Sequence, residues 1–506
     1  MKSTRKKWEP ANSGSFRREN FFLVTKTEKN GLFCMKKLVL GLMCFMIPAC
    51  FASPDLEKYL ENDLELKKLA LEVKKAELSS EETSIDTGIN VQISTGTITL
   101  AGGADDFNVT LKPSVTATVP VRSNLKFAVS SSVAVESGED NSSNTKFSLS
   151  ADIISGASLS RRLKLMNAER MLLTARRNLQ NRALEAEKEF YTELKALFTA
   201  ANAIVKAQQT LYDDTIDFED IKAKGYAVTS SKYRLAELKV LSDSHDVETK
   251  IRELEHDCAV FASKCSDEYK TGTKAEDFLP KTIQYVEPVD ILAFEKNQYA
   301  SIEKAVWTYE YNSLERKSVK NVTLSANAGY TLKNSSTASS ASRSDMSDTV
   351  DAGATAGLYG LSLGAGVSFP VENPINPVYS LSASVDPAEF RKARITTEKN
   401  GYSEEQDLIA IQSAEEDYDT SVVDQQQSLS DIIWSRQTNA ETYEMYVRLE
   451  KDMAEYLKAG IITESEYLNA FANREQYRLQ LLINDIDLII YNNTTKLLFC
   501  RDEEIL

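Results

Sequence analysis

Carboxylates are the one chemically able side-chain type that this sequence gathers into a pattern, and they gather beside two glycines. Asp213, Asp214, Asp217, Glu219 and Asp220 crowd the residues before Gly225, and Glu464 and Glu466 follow Gly460. Acids in the last turns of a helix oppose its dipole, at a cost of a few tenths to about 1 kcal/mol each, whereas acids in a first turn are favoured there. The first group therefore reads either as a negative surface with a task or as a solvated face. The second reads either as a cation-binding set, once copies of the chain meet on an axis, or as an ordinary helix start.

Other chemistry falls away. His245 and His256 lie eleven residues apart and lack the i, i+4 spacing of a metal pair. Gly353 to Gly366 is glycine-rich, but no Lys-Ser/Thr follows, so it is no phosphate loop. No nucleophile elbow or zinc motif occurs, and neither an enzyme nor a cofactor is expected. Of six cysteines, Cys258 and Cys265 are seven residues apart on one expected helix, roughly 10 Å and too far for a bridge. They read as idle or buried thiols.

The chain has 506 residues, with 59 basic and 75 acidic. Residues 1–52 hold 10 of the bases and 3 of the acids, leaving 49 against 72. That balance argues against nucleic acid, whose phosphates need Lys/Arg clusters. Met35-Lys36-Lys37, the apolar run Leu38–Ala49 and the small residues after it read as a signal peptide over 35–52. The run is shorter than the ~20 residues of a spanning helix. Residues 1–34 then form a non-native or unstructured extension. Cleavage after Ala52 gives a mature start at Ser53; Ile47-Pro48-Ala49-Cys50 is a loose lipoprotein box and makes Cys50 the alternative, lipidated start.

The elements that position the acids come in two matching sets. An amphipathic helix, Leu56–Leu78, carries Leu60, Leu64, Leu71 and Leu78 near one face, and alternation with period two occupies 84–154. A proline-free helix over 158–224 has a seam of Leu172, Ala175, Leu179, Ala183, Ala186, Phe190, Leu194, Leu197, Ala201 and Ile204, coiled-coil spacing over about 100 Å. Gly225 closes it. A helix over 230–265, an irregular segment over 266–290 and a helix over 290–317 complete a first repeat, 53–318. The second, 319–506, has a β-stretch over 320–386, with a polar Asn334–Ser347 loop, then helices over 387–459 and 465–499 around Gly460.

One pattern marks the duplication. Thr-x-Ser-(Lys/Glu)-Tyr-x-x-Ala occurs at Thr229, Ser231, Lys232, Tyr233, Ala236 and again at Thr463, Ser465, Glu466, Tyr467, Ala470, an offset of 234 residues that also carries Asp152 onto Asp386. Neither half has a compact core of its own. Four alternating strands per chain cannot close a membrane barrel, for which about eight is the minimum; copies of the chain that pool strands and helices can.

Gly460 to Ala470 resembles the tip turn of TolC-type outer-membrane efflux channels, Gly-x-x-Thr-x-x-(Asp/Glu)-hydrophobic-Leu-x-Ala, and Gly225 to Ala236 is similar with one extra residue before Thr229. The resemblance covers the whole mature chain. It implies a mixed α+β membrane protein: a homotrimer with a 12-stranded outer-membrane β-barrel, four strands per chain, continued by a long α-helical coiled-coil tunnel in the periplasm. Residues 266–290 would lie in a belt around that tunnel. A periplasmic adaptor protein and an inner-membrane transporter would dock at the tips, around Gly225, Thr229, Gly460 and Thr463. Acids after the second tip would ring the periplasmic gate: Glu466 matches one such position, Asn469 stands where a second acid is common, and Glu464 is nearby. Leu457 and Ile462 occupy the places of the family's tyrosine and arginine latch, so such a latch is not expected. The expected function is passive export of drugs, small molecules or proteins; the rival is a periplasmic coiled-coil scaffold or lipoprotein, which needs no alternating strands.

Overall fold

Asp63 divides the first helical stretch. Its carboxylate accepts from the backbone N–H groups of Glu65 and Leu66 at 2.7 and 3.2 Å, so helix α1 (Pro54–Asn62) ends and α2 (Leu64–Thr87) begins there. This computed structural model describes residues 54–102, 107–120, 124–136, 142–266, 278–319, 322–335, 348–371 and 376–500. The extension 1–34, the signal segment 35–52 and Cys50 lie outside the described residues, as do 267–277 of the irregular segment and most of the Asn334–Ser347 loop.

Helix α2 runs past residue 84, where alternation was expected to begin. Ser79 to Ser84 is a polar run with no period of its own, and Thr83 and Thr87 turn their hydroxyls back onto the carbonyls of Ser79 and Thr83. The helix continues, and Ile85 falls on the same seven-residue line as Leu64, Leu71 and Leu78.

The sheet is larger than the four strands expected. Its strands are β1 (Asn90–Ser94), β2 (Ile98–Gly102), β3 (Phe107–Leu111), β4 (Ser114–Val119), β5 (Leu125–Glu136), β6 (Ser142–Ile154), β7 (Val322–Ser335), β8 (Thr349–Leu358), β9 (Leu361–Pro370) and β10 (Val378–Val385). Every pairing is antiparallel. The order is β1-β4-β5-β6-β7-β8-β9-β10, with β2 on β3 and β3 on β5. β4 holds the first half of β5 and β3 the second half. Thus β1 with β2, and β4 with β3, are two long strands, each broken once. Gly96 makes one break at φ 68, where a Cβ would stand 1.6 Å from the Lys112 carbonyl oxygen; Pro113 follows on the facing strand. The sheet therefore has eight ladder positions, four from each repeat. The expected four came with the resemblance; alternation with period two runs through 84–154 and 320–386 without marking where one strand gives way to the next, so it fixes no count.

The long helices carry the rest. α3 (Ala157–Ala223) has 67 residues and α6 (Pro387–Lys458) has 72, each on the order of 100 Å. α4 (Ser231–Lys264) packs on α3, α5 (Ala300–Ser318) on α6, and α7 (Glu464–Leu497) lies against both α3 and α6. The expected α3 seam buries Ala186, Phe190, Leu194, Leu197 and Ile204, but Leu172, Ala175, Leu179, Ala183 and Ala201 are only half-buried. Over its whole length α6 buries just Ala414 and Tyr418.

These two residues belong to a cluster with Ile291, Tyr299, Ile302 and Phe499. It sits where the irregular segment returns. Asn492 accepts from the Val289 N–H at 2.8 Å and donates to the Glu287 carbonyl at 2.9 Å, so one side chain stands in for a strand partner. Helix α5 begins only at Ala300, because short turns at Ile291–Ala293 and Lys296–Gln298 precede it. Beside the cluster Glu303 receives Arg170 and Arg177 together. Burial alone would raise this carboxyl; the two guanidinium groups hold it below the usual range instead.

Candidate functional site

Both glycine turns have left-handed glycines, φ 73 at Gly225 and 69 at Gly460, a conformation other residues adopt at a cost. At Gly460 the turn closes by two bonds: Gly460 N–H to the Leu457 carbonyl at 3.0 Å and Ile461 N–H to the Tyr456 carbonyl at 2.9 Å. At Gly225 the described bond is its own N–H to the Lys222 carbonyl, 2.9 Å.

The helices that leave the turns start differently. Thr463 and Glu466 cap each other: the Glu466 N–H donates to Thr463 Oγ1 at 3.3 Å, and the Glu466 carboxylate accepts from the Thr463 N–H at 2.8 Å and from its hydroxyl at 2.9 Å. These bonds, the backbone one first, keep the exposed Glu466 carboxyl below its usual range. In the first repeat the cap is Ser230, bonded to the Tyr233 N–H at 3.3 Å, and not Thr229. Capping by Thr229 would put Lys232 where Glu466 stands, and lysine has no acceptor to complete the box. Lys232 lies over the Tyr226 ring, 4.7 Å from its centroid, and Arg234 donates to the Val228 carbonyl at 3.0 Å. The first turn is tied by these contacts.

The acids divide into separate surroundings. Glu464 is exposed, and with Asp213 it lies near Tyr212, whose hydroxyl is pushed up by burial first and by these two charges next. Asn469 faces inward: its carbonyl oxygen accepts from Gln209 Nε2 at 2.9 Å, and Gln209 in turn accepts from Gln476 Nε2 at 2.9 Å. It is a link between α3 and α7. Asp214 is buried, with 7% of its surface exposed, and takes Lys239 Nζ at 2.5 Å. Its other carboxylate oxygen and one of Asp243 are buried without a hydrogen-bond partner of the ordinary kind. A proton held between these two acids would satisfy both, and their closeness lowers Asp214 and raises Asp243. Sequence reading missed Asp243, whose signal is its place one helical turn after Lys239. Among the described residues no group of three or more His, Cys, Asp or Glu is arranged to hold a metal. Cys258 and Cys265 are buried and form no disulfide with each other.

The sheet is the larger feature, and its faces are sorted. One face carries Val91 and Ile93, then Val115 and Ala117, Phe127 and Val129, Phe147 and Leu149, Ala328 and Tyr330, Val350 and Ala352, Val367 and Phe369, Tyr379 and Leu381, each aligned with the next by the ladder registers. The opposite face carries Gln92, Thr116, Ser130, Ser148, Asn327, Gly353, Gly366 and Ser380. On that polar face a Cβ at Gly364 or Gly366 would meet the Ser382 or Ser380 hydroxyl at 2.5 or 2.7 Å, so small residues are needed there. The apolar face is bare: Phe127, Phe147, Leu149, Leu363 and Leu381 are all exposed, Leu381 at 88%. No helix among the described residues is long and apolar enough to cross a membrane.

Fold and faces define a mixed helix–strand chain built from two repeats, each with antiparallel strands followed by long paired helices. Residues 56–284 match the TP096X N-terminal domain and residues 284–502 the TP096X C-terminal domain, together most of the chain; the chain belongs to the TP096X family. No curated protein matches it in sequence. Among solved structures it is similar to the outer-membrane channel OprN, at 13% identity and a TM-score of 0.46 over 88% of this chain and 92% of that one. It is similar also to a membrane protein from Pseudomonas aeruginosa, at 11% identity and a TM-score of 0.44 over 88% and 89%. A third is the open state of the MtrE outer-membrane channel of Neisseria gonorrhoeae, at 12% identity and a TM-score of 0.41 over 88% and 87%.

Proposed function

We propose that this protein is the outer-membrane channel of a tripartite export system. Copies of the chain, three by the resemblance of its tip turns, pool their sheets into one barrel in outer-membrane lipid. Their long helices continue as a tunnel in the periplasm, where an adaptor and an inner-membrane transporter meet the turns at Gly225, Thr229, Gly460 and Thr463. The observation that carries this reading is the two-faced sheet. A bare apolar face across all eight ladder positions suits lipid, and a polar face opposite it suits a water-filled lumen. A periplasmic scaffold has no use for either. Strands of 10 to 14 residues from β5 to β9 have the length that a tilted membrane strand needs, ~9–11 residues.

Pooling answers two further observations. β1 and β10 pair on one side only, and open edges are not tolerated in lipid. α6 leaves Ile395, Tyr402, Ile409, Val423, Trp434 and Met445 exposed, which neighbouring helices would cover. Eight ladder positions per copy make the pooled barrel wider than twelve strands. Exposed carboxylates at Glu464 and Glu466 would give the tunnel entrance a negative ring, while Asn469 is occupied between helices.

The test is reconstitution of the full chain. Detergent-extracted protein should sediment as three protomers and form conducting pores in planar bilayers. A soluble, non-conducting oligomer would favour the scaffold.

A further inference from the structure

Two exposed stripes flank the open edges of the sheet. Helix α2, which runs into edge strand β1, presents Leu64, Leu71, Leu78 and Ile85 to solvent at seven-residue intervals, Leu64 at 77% exposure. Helix α6, which leaves edge strand β10, presents Ile395, Tyr402 and Ile409 at the same interval, with Phe390 at its start. A seven-residue stripe supplies one of the two apolar positions of a coiled-coil heptad, enough to align two helices with charged residues between the layers.

We infer that copies of this chain join along one continuous seam, α2–β1 of one copy against β10–α6 of the next, in the antiparallel register that sets Leu78, Leu71 and Leu64 opposite Ile395, Tyr402 and Ile409. The inference rests on the pooled-barrel reading above and names its interface. The occupant is a second copy because each stripe finds its complement on this same chain.

Charge supports that register. Between Leu78 and Ile85 the flanking residues are Glu81 and Glu82, and opposite them fall Lys392 and Arg391. Between Leu64 and Leu71 they are Lys67 and Lys68, opposite Gln406 and Glu405. In the middle layer Lys75 meets Glu398; Lys74 meets Lys399, the one like-charge opposition. All of these side chains are exposed within the single chain. The sheet agrees. The same register levels the strand–helix junctions, Thr87 with Asp386. One residue's adjustment then pairs Val91 with Ala383 and Ile93 with Leu381, which keeps apolar side chains on the apolar face and the antiparallel sense of every other pair. The two edges differ, so the contact is head-to-tail, and rotation closes it into a ring.

The test is a cysteine pair, Leu71→Cys with Tyr402→Cys in one chain, oxidised in native membranes. Two- and three-chain species should form, with a 71–402 link found by mass spectrometry. Leu71→Cys with Ile395→Cys, displaced by about 10 Å, should stay single-chain, and so should each single variant, which controls for Cys258, Cys265 and Cys500. Separately, Glu82→Arg should lower the heat stability of the oligomer and Arg391→Glu in the same chain should restore it. Three-protomer particles that show neither the link nor the rescue would overturn the seam and leave the channel reading intact. Single chains with an internal 71–402 link would overturn both.

Discussion

Thr463 and Glu466 hold each other at the second turn, with the glutamate's carboxylate taking both the backbone N–H and the hydroxyl of the threonine. One residue therefore has two tasks, a helix cap and a charge at the proposed entrance. The cap strengthens the charge, because hydrogen bonds to the ionised form keep the carboxyl below its usual range.

Substitution separates the tasks. Glu466→Gln keeps an oxygen for Thr463 and removes the charge, so helix α7 should stay folded while cation selectivity and block by multivalent cations weaken in bilayer recordings. Thr463→Ala keeps the charge and loses the cap, at a cost of about 1 kcal/mol, with selectivity nearly unchanged. Unaltered selectivity in Glu466→Gln would remove Glu466 from the pore axis.

The sorted faces make a second prediction. Leu149→Arg puts a charge on the apolar face beside Phe127, and should cost about 2–4 kcal/mol if that residue meets the lipid midplane. Ser148→Arg, one residue away on the polar face, should fold and insert, and should change conductance instead. Outer-membrane yield and heat-resistant gel migration report the first effect. Equal yields from both variants would mean that the apolar face does not meet lipid.

The duplication and the period-two stretches were legible because alternation and repeat depend only on residue order. Strand number was not, since period-two alternation does not mark where one strand gives way to the next, and Gly96 and Pro113 break strands without ending their ladders. Nor was the first cap legible: Thr229 fits the repeated pattern, yet Lys232 cannot close its box, and Ser230 takes the role. Asn469 looked like a gate position by resemblance. Its partner Gln209 lies 260 residues away in sequence, and pairing at that distance is set by packing alone.

Glu303 makes a third prediction. It is bonded to Arg170, with one contact at 2.8 Å, and to Arg177 at 3.0 Å. Glu303→Gln would leave two half-buried guanidinium groups short of a counter-charge, a loss of about 2 kcal/mol for a site of this depth. The folded-state carboxyl is held low, so its contribution is present above the ordinary glutamate value, about 4.3, and is lost as pH falls through the folded value. Acid unfolding monitored at Trp307, whose ring lies 5.1 Å from the Arg170 guanidinium, should lose this component in Glu303→Gln.

The last prediction concerns Asp214 and Asp243, whose neighbouring carboxyls between α3 and α4 can hold one proton between them. Lys239 faces Asp214; Asp246 on α4 and Asp217 on α3 add negative charge nearby, and Glu464 at the start of α7 lies by Tyr212. The bond between the two acids lowers Asp214 and raises Asp243. Asp243's contribution is complete below the ordinary aspartate value, about 3.9, and is lost as pH rises through its raised value. Asp214's contribution is complete above that ordinary value and is lost as pH falls through its lowered one. The α3–α4 pairing should therefore be tightest near the ordinary aspartate value and loosen as pH rises through the raised value of Asp243, once both acids are charged. Asp243→Asn replaces the shared proton with a permanent N–H donor. Amide exchange across 210–245 should be slower in this variant above the raised value of Asp243 and should approach the wild type below it. Parallel profiles for the two proteins would show that no proton is shared.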